Sequence, residues 1–182
     1  LIYMLDDKQY GEIAAEALKN ITGREIDSSD REAWRELLEE HGSGIREKFI
    51  KRLKNSRGEE LTQALSDLSS SMYRKLWTDE AVFEALLTAT TNIVSWEQVN
   101  AATYLIVKNK KDPAAQKSLL KMASRLEDLE SKRVIIEVLA QDFPNGSTVE
   151  FLLELLDTGR NRLKIAARKA LYDITGASSS RR

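Results

Sequence analysis

Two copies of one ten-residue pattern, near the two ends of the chain, constrain its fold more than any other feature. Both copies contain two alanines, a leucine, an isoleucine, a threonine and a glycine, in the same order and at the same spacing. The residues are Ala14, Ala17, Leu18, Ile21, Thr22 and Gly23 in the first copy, and Ala167, Ala170, Leu171, Ile174, Thr175 and Gly176 in the second. The apolar members recur at helical spacing and share one face, and glycine commonly follows the last turn of a helix. Each copy therefore predicts the second half of an amphipathic helix and its C-terminal end.

A shorter apolar segment and a polar turn precede each copy. Residues 1–5 and 6–8 stand before the first, and residues 149–156 and 157–161 stand before the second. A helix, a tight turn and a second, alanine-rich helix make a two-helix unit.

This unit resembles a HEAT repeat, in the divergent form common in bacterial proteins. The segment after the first copy adds to the resemblance, with Arg24-Glu25-Ile26 and the acidic residues that lead to Trp34. The similarity covers roughly residues 1–41 and 147–176, and the middle of the chain matches only in being helical. The resemblance implies an armadillo-like α-solenoid in which the second helix of each pair lines a concave binding surface.

Helical periodicity continues through the rest of the chain, and no segment shows the alternation of a strand. We expect helices over about 1–6, 9–22, 30–41, 45–55, 59–69, 79–91, 95–108, 113–126, 128–141 and, as a final pair, within 147–176, with a short one near 72–77. The predicted N-caps are Ser29, Thr78, Ser95, Asp112 and Ser147. The predicted fold is all-α, a right-handed α-α superhelix of about five to six hairpins. It forms a single domain over 1–176, followed by a disordered tail at 177–182.

Composition restricts the function. The 182 residues are 42% apolar and carry a formal charge of −1, which disfavours a general nucleic-acid or membrane binder. The absence of cysteine excludes disulfides, thiolate metal sites and a cysteine nucleophile. No apolar run reaches the ~20 residues that span a bilayer. We expect a cytoplasmic protein; because Leu1 is not an initiator methionine, we also expect the sequence to be trimmed here, which leaves a removed export signal open.

The single histidine limits catalysis. His41 follows Glu39 and Glu40, and this grouping admits a metal-binding or acid–base interpretation. The two glutamates are successive on a helix and point about 100° apart, so we favour a structural histidine at a helix C-terminus, against Trp34. The serines at 69–71 lack a nucleophile-elbow motif, and the glycines form no phosphate-binding loop. We therefore predict no catalytic residues, no metal site and no cofactor.

Five residues are the predicted partner-binding set. Trp77 and Trp96 stand near helix ends and suit either an aromatic groove or packing between repeats. Arg160, Lys164 and Arg168 follow one another at i+4 steps and form a basic ridge on the last helix, either solvated or facing an acidic partner.

The leading hypothesis is a non-enzymatic HEAT-like scaffold that binds a protein or peptide. The alternative is a nucleic-acid-binding HEAT-like domain of the DNA glycosylase type, which the near-neutral charge makes the weaker hypothesis. A phycobilin-lyase-like enzyme shares the repeat type but has no supporting residues here. The oligomeric state is left open.

Overall fold

The computed structural model describes residues 11–24, 26 and 30–176. Within these residues the chain is all-helical and has no strand, which confirms the predicted all-α class. The α-helices are α1 (Gly11–Thr22), α2 (Arg31–Asn55), α3 (Gly58–Ser69), α4 (Glu80–Ala89), α5 (Trp96–Val107), α6 (Pro113–Arg125), α7 (Leu129–Asp142), α8 (Gly146–Thr158) and α9 (Asn161–Thr175). The predicted helix over 1–6 and the predicted tail over 177–182 lie outside the described residues.

The chain packs as two compact units that divide after Lys48. In the first unit, Ala14 and Leu18 of α1 are buried against the Trp34 ring of α2. This burial confirms Ala14 and Leu18 as members of the apolar face predicted from the first copy of the motif, and it gives Trp34 a packing role; the Ile21 side chain lies outside the described part. The prediction of a single domain over 1–176 stays a prediction.

Helix α2 corrects the sequence prediction of two helices separated at residues 42–44. It runs without interruption from Arg31 to Asn55, through Gly42, Ser43 and Gly44. Neither glycine has a positive φ, and the Ser43 hydroxyl donates a hydrogen bond of 2.8 Å to the Glu40 carbonyl within the helix. Glycine weakens a helix by about 1 kcal/mol relative to alanine, but it ends one only where the chain turns left-handed.

Four helices of the second unit form a row. Each helix in the row packs on the helix that comes two positions later in the chain. Helix α3 packs on α5, α5 on α7, and α7 on α9. Helices α4 and α6 pack on each other and against members of this row, and α8 packs against both α7 and α9. The second copy of the motif lies at the end of this unit, where Leu163, Ala167 and Ala170 are buried with side chains of α7 and α8.

Both motif glycines end their helices as predicted. Gly23 has φ +71° and Gly176 has φ +64°, the left-handed conformation that glycine adopts at little cost. The Gly176 N–H donates to the Tyr172 carbonyl at 2.9 Å and closes the last turn of α9.

Helix caps show which short-range predictions were correct. The Ser95–Gln98 capping box and the Asp112 cap of α6 are confirmed. The predicted caps Thr78 and Ser147 are wrong. Asp79 accepts the hydrogen bond at the start of α4, and Asn145 accepts it at the start of α8.

In both corrections, another side chain with a strong acceptor oxygen stands within two residues of the predicted cap. Ser29 lies outside the described residues. The Asp30 carboxylate accepts from the Ala33 N–H at 3.0 Å at the start of α2.

Candidate functional site

An open cleft of about 960 Å³ lies between α7 and α9. Its apolar lining comes from both helices and includes side chains that belong to the core around the second motif copy. These residues are Leu129, Ala140, Leu163, Ala166, Ala170 and Ile174. Ile165, which also lines the cleft, is 66% exposed. Two other hollows of the second unit are smaller: about 570 Å³ at residues 107–112 and about 390 Å³ beside Thr90 and Arg125.

The two walls of the cleft differ in charge. On α7, Arg133 stands one turn from Glu130 and one turn from Glu137, and its guanidinium pairs with both carboxylates, at 3.4 and 3.6 Å. On α9, Arg162 and Lys169 make no ion pair with a described residue. Exposed ion pairs such as those of Arg133 contribute little to stability, but the two carboxylates neutralise the positive charge of the arginine. With two cations and one carboxylate, Asp173, the α9 wall has a net charge of +1, and the α7 wall, with one cation and two carboxylates, has a net charge of −1.

The predicted basic ridge lies beside the cleft and does not line it. Arg160 is exposed at the N-cap position of α9, and Arg168 is exposed two turns further along the helix. The Lys164 ammonium donates a hydrogen bond of 3.1 Å to the Asp157 carbonyl, across the turn between α8 and α9. Lys164 thus closes a turn as well as contributing charge.

The two cations of the cleft, Arg162 and Lys169, were not in the predicted partner-binding set, although the sequence contained a signal for them. Arg162, Ile165 and Lys169 follow i+3 and i+4 steps and so share a face of α9. This face lies beside the motif stripe, and nothing in the sequence indicated that α7 would be its neighbour.

Trp77 is buried in the second unit. It follows a 3₁₀ segment, Ser71–Leu76, which is kinked at Tyr73 and lies where the sequence predicted a short helix near 72–77. The indole is 8% exposed, and its Nε1 donates to the Leu68 carbonyl at 2.6 Å. The Tyr104 ring meets it edge-on, with centroids 5.4 Å apart. These contacts fit the packing interpretation of Trp77.

Trp96 has the opposite environment. It is the first residue of α5 and is 51% exposed, and Asn100 donates a hydrogen bond to its carbonyl one turn along the helix. The equivalent first position of α7 is Leu129, which lines the cleft. Trp96 and half-exposed Tyr104 therefore leave a large aromatic surface on α5 open to a partner.

Groups of possible metal ligands and shifted pKa values are the chemical features to consider in the described residues. These residues contain no group of three His, Cys, Asp or Glu side chains that could hold a metal ion, although the His41 side chain is not described. The pKa of Glu97 is lowered by a hydrogen bond from its own backbone N–H and by one from the Ser95 hydroxyl. This shift belongs to the first turn of α5, where a helix favours negative charge. Among the described residues, no helix is long and apolar enough to cross a membrane.

Comparison with protein-family models, with curated proteins and with solved structures found no match.

Proposed function

We propose that this protein is a non-enzymatic, HEAT-like helical-repeat scaffold that binds another protein, with the cytoplasm as its expected location. The row of contacts α3–α5–α7–α9 supports the repeat architecture, because stacked two-helix repeats bring together every second helix of the chain. On this proposal the chain forms a right-handed α-α superhelix of five to six hairpins.

The observation that carries the proposal is the open cleft on the exposed side of this row. Helical-repeat proteins bind partners along such extended surfaces, since neighbouring repeats supply side chains at regular intervals. Soluble proteins rarely leave large apolar surfaces open without a role in binding. Trp96 and Tyr104 present further exposed aromatic surface on α5. Arg160, Lys164 and Arg168 add positive charge at its border, which favours an acidic partner and raises its association rate.

Affinity capture tests this proposal. The full chain serves as bait, and each captured protein is purified and its binding measured by surface plasmon resonance. We expect the ridge variant R160E/K164E/R168E to associate about 3- to 10-fold more slowly at low salt. The matched variant K111E/K117E/K121E, with the same charge change on exposed lysines of α6 and the turn before it, should bind as the wild type. The proposal fails if no purified protein binds and the chain turns over a substrate.

One observation favours nucleic acid as the alternative partner. Residues 160–169 carry five basic side chains and no acidic one. A domain of the DNA glycosylase type would place such cations against phosphates and an exposed aromatic ring such as Trp96 against a base. A gel shift with short duplex and single-stranded DNA at about 50 mM salt tests this alternative, and the absence of a shift removes it.

A further inference from the structure

We infer that the α7–α9 cleft binds one face of an amphipathic helix in which carboxylates flank an apolar stripe. This inference rests on the proposed function and specifies the chemistry of the partner. The cleft, and not the neighbouring ridge, then determines the affinity for the partner helix.

The shape of the cleft favours a row of side chains. Arg162 and Ile174 both line it, so it follows α9 for roughly 18 Å at 1.5 Å per residue. Its lining includes Ala140, Leu163 and Ala170, which belong to the buried core, so the cleft is a furrow between two helices that pack on each other. A partner helix therefore lies along the mouth of the cleft and inserts the side chains of one face. Three to four turns of helix cover the distance.

The floor determines which side chains enter. Ala140, Ala166 and Ala170 are small, so the floor is a shallow trough between larger residues of α7 and α9. Branched apolar side chains that fill it would cover Ile165 and Ile174, at roughly 25 cal/mol for each Å² of apolar surface removed from water. This arrangement is the helix-in-groove form of recognition, with anchors at i, i+4 and i+7.

The charge of the walls determines what flanks the stripe. Arg162 and Lys169 stand seven positions apart on one face of α9, two turns or roughly 10 Å along the helix. Carboxylates two turns apart on a partner helix match that separation. On the α7 wall, Glu130 and Glu137 neutralise the charge of Arg133 and leave a net charge of −1, since two carboxylates face one guanidinium. The partner carboxylates therefore face α9.

The same walls disfavour a nucleic acid in the cleft. Glu130 and Glu137 on one side and Asp173 on the other would face its phosphates, and the apolar floor offers them no hydrogen-bond donors. Only one wall of the cleft would attract such a ligand.

A designed peptide tests the inference directly. The probe is a fluorescein-labelled, alanine-based helix of about 14 residues, or four turns, with leucines at i, i+4 and i+7 and glutamates flanking them. One control peptide replaces the glutamates with lysine, and another replaces the leucines with glutamine. A labelled single-stranded DNA is the fourth probe. Binding to the full-length protein is measured by fluorescence anisotropy at about 50 and 500 mM salt.

Two protein variants with equal charge change separate the cleft from the ridge. We expect R162E/K169E to weaken binding of the acidic peptide at least about 10-fold, and R160E/R168E to weaken it less than about 3-fold. Ile165→Gln should weaken it about 5-fold without altering the charge. Circular dichroism confirms that each variant is folded.

Each outcome bears on one of the two proposals. Selective binding of the acidic apolar peptide, lost in R162E/K169E, supports the inference. If no peptide binds, or if the lysine peptide or the DNA binds better, the inference is overturned. If R160E/R168E causes the larger loss, the cleft is the wrong site. The function as a protein-binding scaffold then still stands on the affinity capture, which does not depend on the cleft.

Discussion

A single buried amide joins two members of the helix row. Gln98 is 1% exposed, and both the nitrogen and the oxygen of its side-chain amide form hydrogen bonds. The Nε2 group donates to the Gly58 carbonyl at 2.8 Å and to the Thr62 hydroxyl at 3.0 Å, so it connects α5 with the start of α3. The Oε1 atom accepts from the backbone N–H groups of Val94 and Ser95. The capping box predicted from the sequence is thus also a tertiary contact.

Replacing the side-chain amide of Gln98 should lower the stability of the fold. We expect Gln98→Leu to lower the free energy of unfolding by about 2 to 3 kcal/mol, because it removes four partly buried hydrogen bonds from the cap of α5 and from its contact with α3. Urea denaturation followed by circular dichroism measures the change. Gln63, on the exposed surface of α3, provides the control, and Gln63→Leu should stay within about 0.5 kcal/mol. Equal effects at the two positions would contradict the structural role of Gln98.

At the scale of an element, α2 shows where a prediction from local sequence alone was wrong. Two glycines and a serine favoured a break, yet the helix continues. The space around the Cα of Gly42 and of Gly44 is open, so neither glycine is required by a close contact. The break was predicted from propensity alone, and a cost of about 1 kcal/mol for each glycine weakens a helix without ending it while the backbone does not turn left-handed.

The backbone conformations of Gly44 and Gly176 predict opposite effects of alanine substitution on the free energy of unfolding. Gly44→Ala should raise the free energy of unfolding by about 0.5 to 1 kcal/mol, because alanine loses less backbone entropy in a helix. Gly176→Ala should instead lower it by about 1 kcal/mol, since φ is +64° there. Thermal unfolding of the two variants measures both changes. A loss of stability in Gly44→Ala would contradict the continuous helix.

At the scale of the whole molecule, the main contacts of the second unit join helices that stand one or two positions apart in the chain. Side-chain links repeat this pattern. Gln116 of α6 donates to Asn145 and Thr148 at the start of α8, and Arg125 donates to the carbonyls of Thr90 and Ile93. A structure stabilised by such contacts loses an end without losing the rest.

Truncation tests this property. A chain that ends at Asn145 lacks α8 and α9 and uncovers Ile136 and Ala140. We expect it to remain helical and to unfold cooperatively, with a smaller urea m-value, because less surface is exposed on unfolding. Far-UV circular dichroism during a urea titration measures both. Complete loss of helix in the absence of urea would argue against a repeat architecture.

The sequence by itself determined the helical class, the two motif copies and their terminal glycines, and the caps at Ser95 and Asp112. These features depend on spacing and on hydrogen bonds between residues a few positions apart. Only the tertiary structure decided which tryptophan is buried. Trp77 meets Tyr104 and the Leu68 carbonyl, whereas Trp96 remains half exposed at the start of α5. It also decided that Arg162 and Lys169, and not the ridge, line the cleft, since a cleft requires a second helix and the neighbour of α9 is α7.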